Sequence, residues 1–180
     1  MRIFIGCSAN EDIPSKYLND CEKLLRELFK GDNDLVFGAC NKGLMGLAYN
    51  MALENEKKII GIYPEVYEYE AHDLNCEKIP TKTVNDRTSK LIGKSDVLIF
   101  LPGGIGTTYE LFTAIESKRG KEFDKPIIIY NSCGYYDKLV EFIDLMSEEK
   151  FVSKEVKNCF YVCDNIDDIL FYIDEYYRNK

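Results

Sequence analysis

Short apolar runs alternate with stretches of helical spacing along the whole chain, and this alternation decides the fold class. Residues 2–6, 35–37, 58–63, 95–101, 125–130 and 159–163 predict strands. Residues 12–30, 43–56, 84–94, 107–117, 134–149 and 166–177 carry apolar side chains every three or four positions and predict helices. The strand runs are solidly apolar instead of alternating with polar residues. Strands of that kind are buried on both faces, as in a parallel sheet covered by helices on each side. The expected fold is therefore α/β, doubly wound and Rossmann-like, with residues 1–180 forming one domain. Ligands in such folds bind at the carboxyl ends of the strands. Residues 64–80 interrupt the pattern with a polar stretch bearing Tyr67 and Tyr69. We read it as an excursion suited to a lid or a pocket rim, or as a plain surface loop.

The stretch from Leu98 to Glu110 holds the strongest local chemistry. Leu98-Ile99-Phe100-Leu101 is a buried strand run, and Pro102 ends its ladder because proline has no N–H. Gly103, Gly104, Ile105, Gly106, Thr107 and Thr108 then form a turn into a helix. Free N–H groups and the positive end of the dipole make that first turn an anion site for a phosphate. Glu110 falls about one turn in. A carboxylate beside a phosphate pocket suits chemistry on the neighbouring sugar. A second glycine-rich turn, Gly38 to Gly46, places Gly43 and Met45 at another strand end, and Ser8 lies at a third. That turn lacks the Gly-Lys-Ser/Thr ending of a P-loop and the spacing of a dinucleotide fingerprint.

Charge and cysteine usage exclude several classes. The net charge is −8, with no long basic run, which argues against nucleic-acid and anionic-membrane partners. Residues 1–6 are too short an apolar run for a signal segment, and no stretch is long enough to span a bilayer, so a cytoplasmic location is expected. Seven cysteines without a C-x-x-C pair read as reduced, mostly buried thiols, and the single His72 has no metal-ligand pattern around it. No metal and no organic cofactor is expected.

Pro102 to Glu110 resembles the P-G-G-x-G-T-x-x-E signature of the LOG ("Lonely Guy") family, the cytokinin riboside 5′-monophosphate phosphoribohydrolases. Members are often labelled lysine decarboxylases. Gly43-Leu44-Met45-Gly46 is similar to that family's first glycine loop, and Gly134-Tyr135-Tyr136 with Phe142-Ile143-Asp144 to a later element. Two positions depart from the family pattern. Gly38-Ala39-Cys40 stands where three glycines are usual, and Thr88 follows Arg87 where a lysine is usual, with Lys42 or Lys90 as replacements for the lost charge. The resemblance implies that Glu110 lies against the ribose and that Arg87 is the fixed cation of the site. Standing alone, Arg87 would read as an ion pair with a neighbour such as Asp86. The glycine turn and its threonines would hold phosphate, with Ser8 and Asn85 as weaker pocket residues. It also implies a small-molecule nucleotide substrate and a homodimer. The expected reaction is hydrolysis of the N-ribosidic bond of an AMP-like or N6-modified adenine nucleotide. The alternatives are a nucleotide- or cofactor-binding protein of the same fold without chemistry, and a base-exchange (deoxy)ribosyltransferase.

Overall fold

A computed structural model describes residues 1–178. In chain order the elements are β1 (Arg2–Gly6), α1 (Ser15–Lys30), β2 (Asp34–Phe37), α2 (Gly43–Glu54), β3 (Ile59–Pro64), α3 (Glu68–Ala71), β4 (Glu77–Thr81), α4 (Val84–Lys94), β5 (Val97–Phe100), α5 (Ile105–Arg119), β6 (Ile127–Tyr130), α6 (Asp137–Glu148), β7 (Tyr161–Cys163) and α7 (Ile166–Arg178). Short 3₁₀ turns occur at Glu65–Tyr67, Ser132–Gly134 and Lys154–Cys159. The fold is the expected doubly wound α/β type. Its sheet has seven strands in the order β4-β3-β2-β1-β5-β6-β7, and every pairing is parallel.

Because the strands are sandwiched, their side chains alternate between two cores. Ile3 and Ile5 of β1 and Val97 and Ile99 of β5 face one side, with Leu24, Leu44 and Ile169 from α1, α2 and α7. Phe4, Leu98 and Phe100 face the other, with Leu91, Leu111 and Ile143 from α4, α5 and α6. All seven strand residues named are essentially inaccessible. Phe4 and Phe100 meet edge to face at 5.6 Å, a favoured geometry for two buried rings.

The strand order reverses between β1 and β5. The chain first winds outward from β1 to β4, then returns to lay β5 on the other side of β1. Gly6 pairs with Phe100 at the carboxyl ends of these two strands. A crevice opens beyond such a switch point, because the loops that follow the two strands leave in opposite directions. The loops from β1 and β5 are nonetheless stitched together: Leu101 N–H donates to Gly6 O at 2.9 Å and Ser8 N–H to Pro102 O at 3.1 Å.

Several sequence expectations need correcting. A strand, β4, and the short helix α3 lie within the polar stretch 64–80. β4 pairs only with β3 and is largely exposed, so it carries no apolar run, and an edge strand tolerates Pro80. The first helix begins at Ser15, because Pro14 keeps an extended ψ of 133°. The helix after the glycine turn begins at Ile105, two residues earlier than its apolar spacing suggested, so Gly106 belongs to its first turn. The helix expected from residue 134 begins at Asp137, since Cys133 and Gly134 adopt left-handed backbone angles.

Candidate active site

Two adjoining cavities occupy the crevice at the switch point. One, of about 260 Å³, is lined by Cys7, Ser8, Ala9, Met45, Arg87, Gly104, Gly106, Thr107 and Glu110. The other, of about 360 Å³, is lined by Ala9, Gly38, Cys40, Met45, Pro64, Tyr67, Tyr69, Glu70, Val84, Arg87 and Gly106. Ala9, Met45, Arg87 and Gly106 belong to both and form the passage between them.

The first cavity ends at the N-terminus of α5. Gly104 is the N-cap residue, and no side chain caps the helix. Thr108 N–H bonds back to Gly104 O at 3.0 Å, which closes the first turn and leaves the earlier amides outside the helical ladder. These amides and the helix dipole present the positive potential that suits an anion beside Ser8 and the buried Thr107. Two tyrosines fix the turn from behind. Tyr136 donates its hydroxyl to Leu101 O at 2.7 Å, and Tyr135 donates to Gly103 O at 2.8 Å. The Gly-Tyr-Tyr stretch noted in the sequence thus ties down the carbonyls of Leu101 and Gly103 at the start of the glycine turn. Close packing supports the same shape, since a Cβ on Gly103 would lie 2.2 Å from Thr107 Oγ1.

Glu110 and Arg87 meet at the junction of the cavities as a buried ion pair, Arg87 Nη1 donating to Glu110 Oε1. Their side chains are 7% and 15% exposed respectively. α5 projects Glu110 inward one turn from its start, and α4 brings Arg87 from the opposite wall. α4 is anchored at its own start by Thr83, whose hydroxyl accepts from Asp86 N–H at 3.1 Å. Arg87 is held at a second point, donating from Nε to Ile62 O at 3.1 Å. Its guanidinium then passes across Gly38, where an added Cβ would come within 2.0 Å of Nη2. Gly38 is therefore the residue that lets Arg87 reach Glu110.

Burial pushes the Glu110 carboxyl up, and the charge and hydrogen bond of Arg87 pull it back down, leaving it raised on balance. Burial likewise pushes the Cys7 thiol well up, and the Cys40 thiol to about 11. Both cavity thiols are consequently protonated at neutral pH and unsuited to act as nucleophiles.

Among the residues singled out from sequence, Ser8, Met45, Arg87, Gly104, Gly106, Thr107 and Glu110 line the cavities. Gly103, Ile105, Thr108, Gly43 and Asn85 do not. Ile105 is 89% exposed, and Thr108 turns its hydroxyl back onto Gly104 O. Gly43, at φ +54°, fits closely against Asn10 O. Asn85 accepts from the Tyr109 hydroxyl at 2.7 Å. Thr88 is buried, and its hydroxyl bonds to Val84 O at 3.1 Å. Neither proposed replacement lysine reaches Glu110 or Thr107: Lys42 pairs with Glu70 and Lys90 reaches Pro80 O. Glu70 and Cys40 are cavity residues that sequence reasoning did not assign. Glu70 lies on a four-residue helix inside a charged stretch, where periodicity carries no signal.

The fold and the cleft together define a doubly wound α/β protein with an uncapped helix N-terminus and a buried carboxylate–guanidinium pair at its switch point. A family model described as "possible lysine decarboxylase" matches residues 45–173. The cytokinin riboside 5′-monophosphate phosphoribohydrolase LOG3 of Arabidopsis thaliana is 30% identical over 179 residues, spanning 97% of this chain and 82% of the relative. LOG2 of the same plant, which carries the same activity name, is 29% identical over 178 residues, spanning 97% of this chain and 83% of the relative. The chain belongs to this LOG family. In fold it is also similar to the Moco carrier protein of Chlamydomonas reinhardtii, with a TM-score of 0.75 at 18% identity over 99% of this chain and 98% of that one.

The decarboxylase description implies pyridoxal phosphate, which is held through a lysine Schiff base. Among the described residues, no lysine lines either cavity, so the residues present do not fit that cofactor. Among the described residues no cluster of His, Cys, Asp or Glu is placed to hold a metal ion, and no helix is long and apolar enough to cross a membrane.

Proposed function

We propose that this protein hydrolyses the N-ribosidic bond of a nucleoside 5′-monophosphate, an AMP-like or N6-modified adenine nucleotide, to free base and ribose 5-phosphate. The observation that carries this reading is the buried Glu110–Arg87 pair at the junction of two cavities of different character. One cavity ends in helix amides and hydroxyls, as a phosphate requires. The other has apolar walls and two tyrosines, as a base requires. A nucleotide laid across both brings its ribose to the junction. The activity named for LOG3 and LOG2 supports the same assignment.

In this reading the bond between the anomeric carbon and the base nitrogen breaks, and its electron pair leaves with the base. Positive charge develops on the ribose, and the Glu110 carboxylate lies against it. Water then bonds to the anomeric carbon and loses a proton, and the departing base gains one, so that free base and ribose 5-phosphate result. Arg87 pulls the Glu110 carboxyl down against the upward push of burial and so favours its ionised form. The α5 amides hold the phosphate, so binding energy remote from the reacting bond positions the sugar.

The same reading includes a homodimer. The family resemblance supports it, as do Val84, Ile105 and Tyr109, which are exposed apolar residues near the mouth of the cleft. The test is incubation of the purified protein with AMP, GMP, CMP, UMP, IMP and an N6-prenyl AMP, followed by chromatography for free base. Release of adenine or its N6-prenyl form supports the reading. Folded protein that releases no base from any of the six refutes it.

A further inference from the structure

The end of the larger cavity carries a charge arrangement that the hydrolytic reading does not use. Glu70 of α3 points its carboxylate at Cys40 and Lys42, residues of the loop that follows β2. Lys42 Nζ donates to Oε1 at 2.9 Å, and Cys40 Sγ donates to Oε2 at 3.5 Å. Glu70 and Cys40 line the cavity and Lys42 does not. The lysine therefore fixes the carboxylate from outside while the carboxylate faces the ligand space. Tyr69 also hydrogen-bonds this carboxylate, and of the roughly four acceptor positions on its two oxygens about one stays open to a ligand. The hydrogen bond from Lys42, first among several causes, holds Glu70 below the usual carboxylate range, against a smaller effect of burial. At neutral pH it is an ionised, acceptor-only group.

We infer that Glu70 is the specificity-determining residue of the base pocket, and that it selects bases carrying an exocyclic amino group. This rests on the nucleotide reading given above. An amino N–H directed at an ionised carboxylate makes a charge-assisted hydrogen bond. A carbonyl oxygen in the same place meets negative charge with no proton between. Met45, Pro64 and Val84 provide apolar walls, and the Tyr67 and Tyr69 rings provide stacking faces. Those surfaces accept any base, so discrimination falls to Glu70. A singly N6-substituted adenine keeps one N–H and remains within the selected class.

Inosine monophosphate is the reference ligand. It differs from AMP at position 6, and from GMP only by lacking the 2-amino group. Stopped-flow titration of the wild-type protein and of Glu70→Gln with AMP, GMP and IMP, read before base is released, measures the preference without relying on turnover. The tighter-binding of AMP and GMP is expected to exceed IMP by roughly ten- to a hundredfold in the wild type. In Glu70→Gln, whose amide can donate as well as accept, that ratio is expected to fall to within about threefold. Equal binding of all three nucleotides to the wild type overturns the inference, as does a ratio that Glu70→Gln leaves unchanged. If Glu70→Gln binds none of the three, Glu70→Asp decides. A retained preference over IMP supports the assignment, and a lost one refutes it. Base release is followed in the same samples. Amino-selective binding without base release would refute the hydrolytic reading and leave Glu70 as the selector. Base release without selectivity would do the reverse.

Discussion

Replacing Gly38 by alanine should separate the active geometry from the stability of the fold. The added Cβ would lie 2.0 Å from Arg87 Nη2, where ordinary contact begins at 3.4 Å. The guanidinium must therefore retreat by about 1.4 Å. It cannot do so while keeping both its bond to Ile62 O and its bond to Glu110. A misplacement of this size at a reacting centre costs on the order of a hundredfold in rate, or about 2.7 kcal/mol of transition-state stabilisation. The fold should suffer much less. The colliding atoms are the far end of a flexible side chain, and the Gly38 backbone does not need a left-handed angle. Glu110, deprived of its partner, takes up a proton instead of remaining as a lone buried charge, which limits the loss to about 1–2 kcal/mol. For a chain of this size, that lowers Tm by less than about 8 °C. The assay is kcat/KM for base release from AMP, with Tm from a thermal scan. A stable Gly38→Ala protein with turnover within about threefold of wild type would refute the argument that Arg87 must reach Glu110 across Gly38.

Gly43→Ala should behave in the opposite way. Its Cβ meets the Asn10 carbonyl at 2.3 Å and its φ of +54° strains any side chain, so a stability loss above about 2 kcal/mol is expected in denaturant titration. Tyr136→Phe leaves the buried Leu101 carbonyl without its donor and should cost about 1–3 kcal/mol, with a rise in KM as the glycine turn loosens. The acid limb of the kcat/KM profile should lie above the ordinary glutamate value of 4.5, since burial raises Glu110. Between 4.5 and the folded value the native state binds more protons than the unfolded chain, so this group lowers stability as pH rises through that window. Arg87→Met removes the groups that pull Glu110 down, so carbon-13 NMR titration should show its carboxyl moving further up; no movement would contradict the pairing.

Much of the fold was legible because the apolar runs of β1, β2, β3, β5 and β6 are also buried strands. Phe4 and Ile5 face opposite cores, so no polar residue interrupts β1 after Arg2. β4 was illegible for the complementary reason. It is an exposed edge strand, and its pairing comes from β3 instead of from an apolar pattern of its own. At the site, the glycine turn and Glu110 could be read from motif chemistry, because a backbone that must accept an anion has few alternatives to glycine, whereas Arg87 entered through the family resemblance. The partner of Arg87 could not be read. Asp86 is adjacent in sequence, yet on a helix it points elsewhere, and the ion pair forms with Glu110 across the cleft. Thr88 misled for a similar reason. Its position in the helix faces the interior, so the identity of that side chain bears on packing and not on cleft charge. Glu70 was hidden because its meaning depends on where α3 folds back over the loop carrying Cys40 and Lys42.

The central claim is that the Glu110 carboxylate stabilises the breaking N-ribosidic bond. Its most direct test compares wild type with Glu110→Gln, a change that preserves shape, removes the charge and turns one acceptor oxygen into a donor. AMP affinity is taken from the concentration dependence of the single-turnover rate, and base release from the same quenched samples. The account predicts affinity within about tenfold of wild type and a release rate at least a hundredfold lower. A Glu110→Gln protein that releases base at the wild-type rate would contradict it.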